Sequence, residues 1–407
     1  MKKVEGGVTA ALGFEAASTA AEIKYQNRTD MALVYSKVPC KAAGTFTTNV
    51  VKAAPVMWDK KIVENSPAVW AVVVNSGIAN ACTGTQGMEC CEKTAKAAAE
   101  ALDIPEDAVL VASTGVIGMQ IPVGRIIKGV AVLAKEKKEG LEAGSKAAKA
   151  IMTTDTISKQ AAVKVTIGGK EVTVGGMCKG SGMIHPNMCT MLGFVTTDAN
   201  ISKEMLTKAV KESVVDTFNM ISVDGDTSTN DTLLVLANGL AGNEEITEEA
   251  EDYALFCQAL NEVNTALAKL MAGDGEGATA LFETRVIHAD TKEHARILAK
   301  SVICSSLTKA AIFGHDANWG RILCALGYSG VSFDPENVDL YFGSASGSIH
   351  IFGNGVACDY SEEEATKILS DKEVTALVDM HMGEAEACAW GCDLSYDYVK
   401  INADYRS

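Results

Sequence analysis

Apolar positions along this chain follow two rhythms. Short unbroken runs such as AVWAVVVNSG (68–77), AVLVASTG (108–115) and TLLVLANG (232–239) end in small turn residues. That pattern predicts strands buried on both faces. Between the runs lie stretches with helical spacing. They are CCEKTAKAAAEALD (90–103), VGRIIKGVAVLAKEKKEG (123–140) with its Lys-rich last turn, and EEITEEAEDYALFCQALNEVNTALAKLMAG (244–273). VKVTIGGKEVTVGG (163–176) predicts a hairpin turning at Gly168-Gly169. Ser202 is placed to cap a helix over ISKEMLTKAVKESVVDTFN. TALFETRVIHAD (279–290) predicts a strand and TKEHARILAKSVICSS a helix. Shorter strands and one helix, EEEATKILS, follow from residue 329 on. The tail YVKINADYRS alternates Val399, Ile401 and Ala403 with polar residues, which predicts a docking strand. Strands and helices mixed in this way predict a layered α/β (α+β) architecture.

One segment fits neither rhythm. MIHPNMCTMLGFVTTDA (183–199) carries no charge before its Asp198, as a buried strand would. Pro186 cannot donate to a ladder, so strand pairing should stop there. The hydroxyls of Thr190, Thr196 and Thr197 are nucleophile candidates, but no base lies near them in sequence. Cleavage of the bond before a Thr would free an α-amine with an ordinary pKa of roughly 7.7–8, able to take the hydroxyl proton.

Composition narrows the function classes. The chain has 407 residues, enough for two or three subdomains. Its formal net charge of −16 argues against binding a phosphate backbone. No apolar run is long enough to span a membrane, and the N-terminus lacks the apolar stretch of a signal peptide. The twelve cysteines then read as reduced and mostly buried, in a cytoplasmic protein. Cys388 and Cys392 lack a second pair for zinc, and the six His are scattered, so no metal site is expected. GDGEGATA (273–280) is not a dinucleotide loop, because it follows a helix. VDGDTSTND (223–231) reads as an acidic turn rather than a calcium loop. GHDANWGR (314–321) is either a site or a tight turn.

KGSGMIHPNMCTMLGFVTTDA resembles the self-cleavage signature of the ornithine acetyltransferases (glutamate N-acetyltransferases) of arginine biosynthesis. The resemblance extends through GTFTTNVVKAAPV (44–56), VNSGIANACTG (74–84), ASTGVIG (112–118), TTDT (153–156), VDGDTSTND, GDGEGAT, FGHDANWGRI (313–322) and AWGCDLSYDYVKINADYRS (389–407). It implies a self-processing two-lobed fold resembling N-terminal-nucleophile amidases. Cleavage between Cys189 and Thr190 would give an α chain, 1–189, and a β chain, 190–407. Within the β chain, 281–407 would form a smaller C-terminal α+β subdomain. An α/β heterotetramer would be the active assembly.

The resemblance implies Thr190 as nucleophile and Thr114 with Gly115 as the oxyanion hole. It makes Thr153, Lys179, Thr190, Glu276, Asn402 and Ser407 substrate contacts. The reaction would move acetyl from N-acetylornithine to glutamate with no cofactor. Use of acetyl-CoA as a further substrate stays open, since no CoA motif is recognisable. Glu276 and the terminal carboxylate of Ser407 are both candidates to meet the ornithine ammonium. Two positions depart from the common pattern, with Cys189 where Ala is frequent and Ser407 where Thr is. A self-processing aminopeptidase or amidohydrolase, with water as acceptor, is the alternative reading.

Overall fold

The computed structural model describes residues 1–185 and 191–404. The N-terminal half supplies strands β1 (Lys2–Val4), β2 (Phe14–Thr19), β3 (Met31–Phe46), β4 (Val69–Ile78), β5 (Val109–Val116), β6 (Lys159–Ile167) and β7 (Lys170–Lys179). It also supplies helices α1 (Ala54–Asn65), α2 (Gly84–Leu102), α3 (Val123–Glu136) and α4 (Leu141–Ala150). Next come β8 (Leu192–Thr197), α5 (Lys203–Asp216), β9 (Thr232–Ala237) and α6 (Glu251–Gly273). The C-terminal part runs β10 (Leu281–Ala289), α7 (Lys292–Cys304), α8 (Ser306–Phe313), α9 (Trp319–Gly327), β11 (Asp339–Ser344), β12 (Gly347–Gly353) and β13 (Val356–Ala357). It ends with α10 (Glu362–Leu369), β14 (Glu373–Asp379), β15 (Ala385–Cys392) and α11 (Tyr396–Asp404).

Among the described residues these strands make two sheets. A nine-stranded sheet has the order β1-β6-β7-β8-β9-β3-β4-β5, with β2 also paired to β3. Its central strands β8 and β9 are buried at every residue because both faces are covered. Leu233 and Val235 of β9 enter one core with α5 and α6, while Leu234 and Leu236 enter the other with α1 to α4. Phe194 and Val195 of β8 divide in the same way. The period-2 alternation of a strand thus feeds two helical layers at once. A six-stranded sheet, β13-β12-β11-β14-β10-β15, lies beyond α6 and shares its core. The mixed layered α/β class follows from this arrangement. Among the described residues no helix is long and apolar enough to cross a membrane.

Four expectations from the sequence change. The tail is not a strand but helix α11, because Ser395 Oγ accepts the Tyr398 N–H and starts a helical turn. Val399 and Ile401 stay exposed at 65% and 37%, so their alternation marks no buried face. The long helix begins at Glu251, not 244, because Ile246 is buried in a bridge with Ile201. The helix from 123 stops at Glu136, since Lys138 pairs with Ala16 and Gly140, at φ 100°, reopens the chain into α4. The described cysteines are all free thiols, but Cys82 and Cys324 are exposed and Cys257, Cys304, Cys358 and Cys388 only half-buried.

Candidate active site

The C-terminal ends of parallel strands β4 and β5 open onto one cleft, as strand ends in such sheets do. Gly77 and Gly115 pair there. Gly115 has φ 132°, and a Cβ on it would stand 2.2 Å from the Gly77 carbonyl carbon. The neighbouring strand, and not only a ligand, therefore requires glycine. Asn230 fastens the opposite wall, donating from Nδ2 to Ala79 O at 2.6 Å and to Ser113 O at 2.7 Å.

A cavity of about 130 Å³ lies between these walls. Thr114, Gly115, Thr153, Lys179, Glu276 and Asn402 all line it. They come from β5, the loop after α4, the end of β7, the loop after α6 and α11, regions far apart in sequence. Glu276 is reached from the tail, since Asn402 Nδ2 donates to its Oε2 at 2.7 Å. The Gly182 backbone packs beside the same carboxylate, where a Cβ would sit 2.4 Å from it. Cys189, Thr190 and Ser407 lie outside the described residues. The other hydroxyl candidates point elsewhere. Thr196 Oγ1 donates to Val8 O at 2.9 Å, and Thr197 Oγ1 accepts from Ala199 N at 3.2 Å.

A buried charge network supports this cavity. Lys159 Nζ sits 2.6 Å from Asp155 Oδ1 and 2.6 Å from Asp274 Oδ2, with the lysine side chain fully buried. Asp155 also accepts from Gly180 N at 2.7 Å and Thr153 N at 2.9 Å, so it positions two stretches of the wall. Burial by itself would raise the Asp155 carboxyl, but the Lys179 and Lys159 ammonium groups outweigh it and hold it well below the usual range. Lys179 goes the other way. Burial pulls its ammonium below the ordinary lysine value, opposed by Asp155 and Glu276. Burial pushes the Asp231 carboxyl well up. Among the described residues, its Oδ2 has no hydrogen-bond partner.

The chain leading into the uncharged segment is clamped. Asp224 accepts from Met183 N at 2.6 Å and Ile184 N at 2.8 Å. Tyr398 OH, on α11, donates to the same carboxylate at 3.3 Å. Thr227 Oγ1 donates to His185 O at 3.0 Å. Burial lowers the His185 imidazole to about 4, so it is neutral near pH 7. On the far side, Met191 O accepts from Thr232 N at 2.7 Å, and β8 begins beside Lys179.

Sequence reasoning undervalued several of these groups. VDGDTSTND is more than an acidic turn, because Ser228, Thr229 and Asn230 line the cavity and Asp224 holds the clamp. Lys159 carried no signal at all, being one lysine at the start of a strand. GHDANWGR is the tight turn between α8 and α9, with Asn318 capping α9 through Arg321 N, and none of it lines the cavity.

The comparisons agree with one another. The protein named arginine biosynthesis bifunctional protein ArgJ in Thermotoga neapolitana is 51% identical over 397 residues, covering 97% of this chain and 99% of its own. Its namesake in Symbiobacterium thermophilum is 53% identical over 409 residues, with both chains covered in full. The crystal structure of arginine biosynthesis bifunctional protein argJ from Bacillus halodurans superposes with a TM-score of 0.51 at 48% identity. It covers 53% of this chain and 99% of the solved one. The model of the ArgJ family matches residues 15–407, and the chain belongs to that family.

Proposed function

We propose that this chain is an acyltransferase of arginine biosynthesis that moves the acetyl group of N-acetylornithine to glutamate through an acetyl ester on Thr190. One observation carries the reading. A single small cavity gathers a lysine, a glutamate, an asparagine and the Thr114-Gly115 pair. Its volume of about 130 Å³ suits an amino-acid-sized ligand rather than a polymer.

Thr190 Oγ attacks the acetyl carbonyl while the freed α-amine of the same residue accepts its proton. The Thr114 hydroxyl and the Gly115 N–H receive the oxyanion, each donor being worth about 3 kcal/mol in the transition state. Ornithine leaves with a proton. The glutamate amine then attacks the ester, and Thr190 is restored. Lys179 gives the substrate α-carboxylate a charge in a water-poor wall. Glu276 takes the ornithine ammonium, a role for which the terminal carboxylate of Ser407 is the competing candidate. Thr153, Asn402 and Ser407 complete the substrate contacts.

In the precursor, attack of Thr190 Oγ on the Cys189 carbonyl would shift the acyl group from nitrogen to oxygen and free the α-amine, and water opening that ester would leave residues 1–189 and 190–407. The Bacillus halodurans chain, covered almost entirely by just over half of this one, supports such a division. The family likeness adds the proposals of an α/β heterotetramer and of a C-terminal subdomain over 281–407. The free thiols fit a reducing compartment, and the cytoplasm is the proposed location. No cofactor enters this chemistry, and acetyl-CoA is a second donor to assay.

The experiment follows a labelled acetyl group from N-acetylornithine. Label on glutamate supports transfer, whereas label released only as acetate supports the amidohydrolase reading. Deleting residues 402–407 should separate two activities. The precursor should still cut, because that step needs only Thr190 and the oxyanion donors. Transfer should fall by at least about 10²-fold, as Glu276 loses Asn402 and the substrate loses alignment. A truncated protein that transfers normally refutes the tail's role, and one that fails to cleave assigns α11 to folding.

A further inference from the structure

At the far end of the six-stranded sheet, two neighbouring strand ends bring together side chains from distant parts of the sequence. His288 is the last residue but one of β10, Asp379 ends β14 and His381 follows it by two residues. The strands are locked in register, with Ile287 opposite Asp379 and Asp339 of β11 opposite Asp379 on its other side. The turn after β14 is stitched to β10, since Met382 N and Gly383 N both donate to His288 O, at 2.7 and 2.9 Å. A Cβ on Gly383 would lie 2.6 Å from Ala289 O, so the two segments cannot spread without losing contact.

We propose that His288, Asp379 and His381 form a binding site for a late first-row divalent cation of the Zn²⁺, Co²⁺ or Ni²⁺ kind. One ligand atom from each residue lies within 4.8 Å of the others. His288 Nδ1 is 2.9 Å from the Asp379 carboxylate and His381 Nδ1 is 3.4 Å from it. A tetrahedral ion with arms of about 2.1 Å sets its ligand atoms roughly 3.4 Å apart, so small side-chain turns complete the shell. Two imidazoles and one carboxylate, with a position left for water, is a donor set that suits these ions over Mg²⁺ or Ca²⁺.

An outer shell is already built. His381 Nε2 lies 2.7 Å from Asp339 Oδ2, which leaves Nδ1 facing Asp379. His350 Nε2 holds the other Asp339 oxygen at 3.1 Å. This carboxylate–histidine relay fixes the ring that would ligate the ion, as outer carboxylates do at metal sites. His288 and His381 both have left-handed backbone, at φ 54° and 49°, a conformation that a non-Gly residue rarely adopts.

The strand β10 is nine residues long, so this cluster lies roughly 25 Å from the loop that carries Glu276. The ion is therefore outside the acetyl-transfer chemistry. It would tie β10, β14 and, through Asp339, β11 together.

Titration of the full-length protein with Co²⁺ tests the site. One equivalent per chain should bind with visible bands of a nitrogen and oxygen shell and without thiolate charge transfer. Zn²⁺ should bleach those bands. His288→Gln and His381→Gln should each weaken binding at least tenfold, and Asp339→Asn about tenfold. Acetyl transfer should be unchanged when the ion is stripped by a chelator. His288 and His381 are half exposed, and circular dichroism should show both variants folded. No spectral change up to millimolar Co²⁺ overturns the proposal. So does equal affinity in the double His variant, or a thiolate band showing that cysteines hold the ion.

Discussion

Thr190→Ala yields one uncut chain and no acetyl transfer. The reason lies in how few groups the chemistry has. Among the described residues that line the cavity, Thr114, Thr153, Thr154, Ser228 and Thr229 bear hydroxyls, but none of them stands directly after the bond proposed to be cut, so none gains an α-amine. In the proposed mechanism, cleavage before residue 190 creates nucleophile and base together. Loss of the hydroxyl removes both the attack that cuts the chain and the attack on the acetyl carbonyl, so the rate should fall by at least about 10⁴-fold. Thr190→Ser keeps a hydroxyl and should cut and transfer at a reduced rate. A denaturing gel reads cleavage and an amino-acid assay reads transfer. An Ala variant that still divides at this bond contradicts the assignment.

Lys159→Met should cost about 3–5 kcal/mol of stability, the range for removing one partner of a buried ion pair. The side chain is fully buried between Asp155 and Asp274. Without its ammonium, two carboxylates are left close together in a wall with little water. The consequences should reach the cavity, because Asp155 also holds Thr153 N and Gly180 N. KM for both substrates should rise along with the loss of stability. Adding Asp155→Asn to Lys159→Met should recover part of the stability, since one unpaired charge is then removed. Denaturant midpoints measure all three proteins. A single variant within about 0.5 kcal/mol of the parent, the scale of ordinary surface changes, refutes the network's role.

How far the sequence reaches can be judged from single elements. Continuous apolar runs gave away β4, β5 and β9, because strands covered on both faces have no polar side. The Ser202 cap was legible because its oxygen does local work, accepting from Met205 N. Helices stopped where long-range pairing took over, as at Lys138 with Ala16 and Ile246 with Ile201. The tail misled because alternation over a few residues does not distinguish a strand from an exposed helix. The cavity-lining residues were legible through their motifs, yet their convergence was not. Thr114, Lys179 and Glu276 meet only because the ends of β5 and β7 and the loop after α6 converge on one cavity. Lys159 shows the limit most plainly. Its importance comes wholly from two partners, one of them 115 residues away. The cluster of His288, Asp379 and His381 has the same origin, since neighbouring strand ends replaced any spacing in sequence.

The acetyl ester itself is the measurement that decides the account. The cleaved protein is mixed with N-acetylornithine in the absence of glutamate, quenched in acid and digested, and the peptides are analysed by mass spectrometry. The account predicts one acetyl group per active centre, on the peptide that begins with Thr190, and its loss to N-acetylglutamate when glutamate is added before the quench. Transfer to glutamate without any acetylated Thr190 peptide, or with the acetyl group on another residue, would contradict it.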